Sequence, residues 1–442
     1  MSNVLTYQSI SNIEQVLLEL PAEQTLCLFR QKVTAYWQES PEDIVLAILV
    51  GSVSGCRRIA VACDEAVVIG CELNFDAAVA ALSAVEVDFN RPFKLLPEYI
   101  AKPWGQEIWY TGVEARGVCR FEQGRGSLPI PWLLALFPSQ FNAEELVLLK
   151  ILDPLASPIF GDLYFELHQK KQEVYVVTRV DPVAWPAGLG GIKLGFKPES
   201  IQRCDNVEAF KASFAAAVKD YRDIRLEIDA FVDEIRLREG VALNAPVSAD
   251  ILSAWLSEVP AHLVDQELRL RQAMNAYIAV KPIGLGDVIK IPCYVPHALQ
   301  HGVRTVEFQT PVYERLIVSF AQKVLTQTHW DTEEAISLMD LSPDADAEFE
   351  PYDFLNGMSG EKIVDFDDFF VVRAQMLSGE VISVVSEGRY LIVMPAKGEV
   401  SVDGQVLQAE EAALTTTSSG VITIKSLNQQ VSVLVCYPKP RC

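Results

Sequence analysis

GDVIKIPCYVPHALQHGVRTVEFQ, residues 286–309, sets three short β-branched or apolar runs between turn residues. Gly286-Asp287 reads as a tight turn, Val288–Ile291 as a strand stopped by Pro292, and residues 303–309 as a second strand entered through Gly302. Between them, after Pro296, lies His297 in an apolar setting. A buried histidine among consecutive strands points to an all-β module with a polar interior.

Strand-like segments surround this stretch on both sides. Upstream are LVLLKIL (146–152), DLYFELH (162–168), EVYVVTRV (173–180) and GGIKLGFK (190–197), and AYIAVKPI (276–283) leads directly into it. A different period interrupts them. Val207, Phe210, Phe214, Val218, Tyr221, Ile224, Ile228, Phe231 and Ile235 recur at intervals of three and four, so residues 206–276 read as a helical insertion with one apolar face. Residues 1–90 mix helical periods (IEQVLLEL, FDAAVAALSAV) with apolar strands (DIVLAILV, RRIAVAC, EAVVIGCEL) and form an α+β extension. From 93 to 138 the aromatic and Gly/Pro-rich texture reads as loops and short strands rather than helix. The divided β-module then comprises 91–205 and 277–330, and 331–368 reads as an acidic, exposed linker. Residues 369–442 are short strands at regular spacing (EVISVV, RYLIVMP, GEVSVDGQVL, GVITIKS, VSVLVCYP), the pattern of a second sandwich or barrel.

Composition narrows the possible functions. With 442 residues the chain exceeds one ordinary core, and half of it is hydrophobic, so two or three domains are expected. A net charge of -22, without a Lys/Arg cluster interleaved with aromatics, argues against a nucleic-acid partner. It leaves room for a small anionic substrate, because a few basic residues set the potential inside a pocket. The longest apolar run, from Ile44, is broken by glycine and serine, and the N-terminal residues lack a secretory pattern. A cytoplasmic protein without a membrane partner is expected. The nine cysteines are scattered, odd in number and without a C-x-x-C, so neither a disulfide framework nor a zinc ribbon is read.

Only five histidines are present, at 168, 262, 297, 301 and 329, and none follows 329, which leaves the C-terminal module without a histidine-based metal site. Glu166 and His168 are two apart and share a strand face; Glu173 begins the next strand, and the short QKKQ connection returns it to that face. His297 is the best fourth partner, and two imidazoles with two carboxylates suit zinc or another divalent first-row ion. Taken alone, the same pattern also fits the polar edge of a strand and a hydrogen-bonded histidine.

Residues 286–309 resemble the signature region of type I phosphomannose isomerases, which are zinc-dependent cupins. The matching positions are Gly286, Asp287, Pro292, His297, Ala298, Gly302, Glu307 and Gln309. Upstream, Lys150 in its apolar strand, Glu166-Leu-His168, Lys171-Gln-Glu173, Gly195-Phe196-Lys197 and the KPWGQEIW segment (102–109) resemble further family positions. The resemblance covers residues 93–320, extends more loosely to the C-terminal module, and leaves 1–90 without a counterpart.

The resemblance implies a mainly β fold of two cupin (jelly-roll) barrels, with the helical insertion and the extra N-terminal α+β segment. It implies a divalent metal ion, zinc by family habit, on Glu166, His168, Glu173 and His297, with glutamate at 166 where the family has glutamine. The implied reaction is aldose–ketose isomerisation of mannose 6-phosphate and fructose 6-phosphate, or of a related sugar phosphate, through an enediol. Lys171 and Arg315 would be the catalytic groups, Lys171 through a pKa lowered by the dication, and Lys150 would bind substrate phosphate. A non-catalytic carbohydrate-binding cupin with a regulatory role, and a cupin lyase or epimerase acting on another sugar, are the alternative readings.

Overall fold

The computed structural model describes residues 6–21, 26–53, 56–63, 74–143, 145–341 and 349–439. The chain divides into two compact units: Met1–Glu98 with Trp109–Leu149 and Glu348–Cys442, and Tyr99–Ile108 with Lys150–Ala347. It is mainly β, built from several antiparallel sheets.

In the second unit two sheets face each other. One has the strand order Val288–Ile291, Glu173–Val180, Val303–Gln309, Leu148–Pro154, Gly105–Trp109, Glu98–Lys102. The other runs Ile278–Ile283, Gly190–Phe196, His297–Leu299, Phe165–Leu167, Leu316–Ser319. Tyr175, Val177, Ile289, Ile291 and Val303 from the first meet Ile192, Leu194, Leu299 and Ile317 from the second in one buried core. Strand alternation carries the rest of each inward row: Glu173 lies on the face of Tyr175 and Val177, and Thr305, Glu307 and Gln309 lie on the face of Val303. The interior is therefore apolar toward one end and polar toward the other.

The helical insertion explains which side chains of the second sheet point inward. Phe165, Leu167, Ala298, Leu316 and Val318 join Phe210, Phe214, Val218, Tyr221, Ile224 and Ile228 of the helix Val207–Arg238 in a second core. With those residues turned to the helices, their strand neighbours Glu166 and His297 must turn to the interior. The helix starts at Asn206, whose side chain accepts from the Ala209 N–H, and ends with Arg236 and Arg238 in its last turn, where cations complement the helix dipole. Its apolar stripe departs from the sequence reading at two positions: Val207 is exposed, and Val232 rather than Phe231 is fully buried. Two further helices, Ala249–Leu256 and Ala261–Asn275, complete the insertion.

The first unit contains a five-stranded sheet, Thr6–Ile10, Leu26–Thr34, Asp43–Val53, Cys56–Cys63, Val85–Val87, with helices Ile13–Glu19 and Phe75–Ala81. The segment read as an α+β extension supplies these strands and helices; the strand expected from EAVVIGCEL lies outside the described residues. The same unit holds a nine-stranded and a four-stranded sheet, with Val372, Ala374, Val393 and Val433 meeting Ile382, Val384, Val402 and Ile424 between them.

Three expectations are corrected by strand pairing and packing. Phe93–Leu96 pairs with Ala412–Thr415, and Arg120–Gln123 pairs with Phe93–Leu96, so these strands extend the C-terminal sheet rather than the divided β-module of 91–205 and 277–330. Residues 130–136, read as loop or short strand, form a helix, because proline in the first turn lacks only an N–H that has no helical partner there. The linker read over 331–368 carries the helix Thr332–Leu338, with Ala335 and Ile336 buried, and the strands Glu350–Asp353 and Ser359–Asp365. Its acidic pair Glu333-Glu334 sits in the first helical turn, where negative charge is favourable.

Gly105, in the KPWG segment, has φ +146°, and a Cβ there would lie 2.4 Å from the Asp153 carbonyl oxygen. Backbone cannot yield as a side-chain tip can. Gly105→Ala is expected to cost about 3 kcal/mol, read as a lowered urea midpoint at unchanged m-value.

Candidate metal centre

Glu166 and His297 sit opposite each other on adjacent strands of the second sheet. His168 follows one residue after the strand Phe165–Leu167, and Glu173 opens the facing sheet's strand Glu173–Val180. His168 is fully buried, and Glu173 and His297 are nearly so. His168 Nε2 lies 3.4 Å from Glu173 Oε1 and 3.8 Å from Glu166 Oε1, and His297 Nε2 lies 3.2 Å from Glu173 Oε2. The two rings are 5.1 Å apart, centroid to centroid.

Ligands held at roughly 2.0–2.1 Å on a tetrahedral ion are about 3.3 Å from one another, close to the separations around Glu173. Ligand atoms of Glu166, His168 and His297 all fall within 4.8 Å of one another. The protonation pattern fits a cation as well. His297 Nδ1 lies 2.9 Å from the Val295 carbonyl, which can only accept, so Nδ1 carries the proton. The other ring nitrogen, Nε2, faces Glu173 Oε2 and is the one available as a ligand. His168 Nε2 is buried without a hydrogen-bond partner. The buried, unpartnered His168 nitrogen beside two carboxylates forms a donor set that a divalent ion satisfies.

Lys171 Nζ is 2.6 Å from Glu173 Oε1, and the Tyr175 hydroxyl donates to Glu173 Oε2 at 2.6 Å. Burial pushes the Glu173 carboxyl up, but the Lys171 charge, with the His168 and His297 rings beside it, outweighs burial and holds the group well below its ordinary value. Burial, reinforced by the Lys171 charge, keeps His168 well below the usual imidazole range. Burial and then the Glu173 charge push Glu307 well above the carboxylate range. Burial would lower Lys171, yet Glu173, Glu166 and Glu307 raise it above its ordinary value. In the metal-free site the neighbouring glutamates thus favour the ammonium form of Lys171; a dication beside it would act in the opposite direction.

Arg315 Nε lies 3.9 Å from Glu166 Oε2, its guanidinium covers the Tyr164 ring at 4.6 Å, and its Nη2 donates to Thr326 Oγ1 at 2.6 Å. Lys150 is brought to the same polar interior by another route. Its Nζ donates to Gln309 Oε1 at 2.7 Å, and its charge acts on Glu307. His301 is placed elsewhere, with Nδ1 2.7 Å from Asp162 Oδ1 and its ring stacked on Trp185. His262 is exposed on its helix, His329 pairs with Asp331, and Trp104 and Trp109 are buried. Tyr164 and Tyr175 were not singled out by the sequence reading, and Glu307 and Gln309 only as positions of the resemblance. The alternation of Thr305, Glu307 and Gln309 against Val306 and Phe308 is the signal that places a polar row inside.

The fold as a whole is similar to that of solved mannose 6-phosphate isomerases. The mannose 6-phosphate isomerase of Bacillus subtilis superposes with a TM-score of 0.54 at 12% identity, over 78% of this chain and 99% of that one. The apo form of mannose 6-phosphate isomerase from Salmonella typhimurium gives 0.53 at 14%, over 79% and 99%. A zinc-bound mannose 6-phosphate isomerase structure gives 0.51 at 12%, over 79% and 100%. At these identities the likeness is one of fold. No protein-family model matches the sequence. No curated protein matches it either.

Proposed function

We propose that this protein is a metal-dependent aldose–ketose isomerase, interconverting mannose 6-phosphate and fructose 6-phosphate or a closely related sugar phosphate. The observation that carries the reading is the convergence of Glu166, His168 and His297, with Glu173 against both histidines and Lys171 and Arg315 beside them. The facing sheets of each unit are read as two cupin barrels, of which the one bearing His297 is catalytic.

A divalent ion, zinc by analogy with the zinc-bound structural neighbour, would be held by those four residues and would polarise the sugar carbonyl and offset charge on the enediolate. The ammonium of Lys171, anchored by Glu173, is placed to hold a proton at the reacting oxygens. Arg315, partly exposed and held by Tyr164 and Thr326, is the cation for the substrate phosphate or the enediolate oxygen. Lys150 adds positive potential deeper in the interior. The substrate is small and reaches this site in the cytoplasm, with no role for nucleic acid or membrane. Among the described residues, no helix is long and apolar enough to cross a membrane.

A second reading draws on Glu166. A carboxylate in place of a neutral amide makes the ligand set more anionic, which binds the ion tightly while weakening its pull on a carbonyl. That favours a carbohydrate-binding protein without turnover. The two are separated by a coupled assay for fructose 6-phosphate formation from mannose 6-phosphate, run on protein of measured metal content. Turnover proportional to metal supports the isomerase; a full equivalent of metal with no turnover of this or related sugar phosphates sinks it and leaves the binding protein.

A further inference from the structure

Strand alternation sets Tyr175 beside Glu173 on the inward face of Glu173–Val180, two residues further along the same strand. The residue is 3% exposed and belongs to the buried core that holds Val177, Ile289, Ile291 and Leu299. Packing there asks only for an aromatic ring, which phenylalanine would supply. The hydroxyl adds a polar atom that must find a partner once water is excluded. It finds Glu173 Oε2, to which it donates at 2.6 Å.

Glu173 is the carboxylate that meets both histidines, with His168 Nε2 3.4 Å from Oε1 and His297 Nε2 3.2 Å from Oε2. Whether it serves as a ligand depends on the angle of its carboxylate plane. The last torsion of a glutamate is broad and roughly two-fold, so the strand alone does not fix that angle. Two donors on opposite oxygens do. Lys171 Nζ holds Oε1 at 2.6 Å, and the Tyr175 hydroxyl holds Oε2 at the same distance. The two donors differ in stiffness: the lysine reaches Glu173 on a flexible four-carbon stem, whereas the phenol oxygen moves only with a ring fixed in the core. That ring also flanks His297, with centroids 6.2 Å apart and planes inclined by 59°.

We propose that Tyr175 is a positioning residue of the metal centre: its hydroxyl fixes the carboxylate plane of Glu173 between His168 and His297, so that the donor set is arranged before an ion arrives. The inference rests on the four-residue metal reading given above. Tyr175 acts through Glu173 rather than on the sugar.

The test uses the full chain, stripped of metal and reloaded, as parent and as Tyr175→Phe, which removes one oxygen and keeps the ring. Zinc affinity is measured by competition with a chromophoric chelator. Hydrogen-bond partners of ligating groups are worth about 10- to 100-fold in metal affinity, so Tyr175→Phe should bind zinc more weakly by that factor. The cobalt-loaded variant should show shifted visible d–d bands, because a carboxylate free to turn changes the geometry at the ion, while the metal-free unfolding midpoint stays near the parent's. A merely structural tyrosine gives the opposite pattern, a lowered metal-free midpoint with parental zinc affinity, and that result overturns the proposal. Where affinity falls, the cobalt bands decide: shifted bands support the role, and parental bands overturn it. Should Tyr175→Phe not fold, crystals of the zinc-loaded parent decide instead: a hydroxyl still bonded to Glu173 supports the assignment, and one turned to another partner overturns it. A parent that takes up no zinc sinks the metal reading and this inference with it; a parent that binds one equivalent no more tightly than Tyr175→Phe sinks only the role of Tyr175.

Discussion

Replacing His297 with alanine leaves a purified protein whose tightly bound metal falls from one equivalent to a small fraction of one. Four-ligand sites of this kind are worth roughly 10–16 kcal/mol, so one ligand in four accounts for about 3 kcal/mol or more, a loss on the order of 10²- to 10³-fold in affinity. The variant should still fold, since His297 meets only the Val295 carbonyl and the Glu173 carboxylate through its ring nitrogens, and Ala298 rather than His297 packs on the helices. Its unfolding midpoint should no longer respond to added zinc, whereas the parent's should rise as metal saturates the native state. Metal content measured after dialysis, together with the zinc response, decides the matter. Full retention of one equivalent in His297→Ala would remove that residue from the ligand set.

Lys171→Met is expected to separate chemistry from metal binding. The side chain keeps its length but loses the ammonium that lies 2.6 Å from Glu173 Oε1. Proton transfer by a positioned side chain contributes about 10²–10⁴-fold, so kcat should fall by that factor in the isomerase assay while bound metal stays near one equivalent. A structural lysine predicts something else: an altered KM or unfolding midpoint with kcat within a few-fold of the parent. Activity lost together with metal would mean that Lys171 acts by holding Glu173 in place rather than on the substrate.

Much of this site could be read along the chain because it is built from strand alternation. The inward turn of Glu166 follows from Phe165 and Leu167 being apolar on either side, and Ala298, packed on the helices, leaves His297 and Leu299 on the inward face. The helical stripe from Phe210 to Ile235 was equally legible, since a period of 3.6 is a local property. The electrostatics were less so. In the metal-free site Lys171 is pushed above its ordinary value by Glu173, Glu166 and Glu307 from separate strands, and a field summed over such distant segments has no signature in a local stretch.

By itself, then, the sequence determined the face each side chain takes on its own element, the donor types available for a metal, and the helical interruption of the β-module. Only the tertiary structure decided which strands join. Phe93–Leu96 pairs with Ala412–Thr415, more than 300 residues away, although nothing in its four residues names that partner. The physical reason is that backbone hydrogen bonds are the same whatever the partner strand, so register and pairing are selected by the side-chain packing of the whole assembly. That same assembly brings Glu173 from one sheet between His168 and His297 of the other, and so turns a polar strand edge into a candidate metal centre.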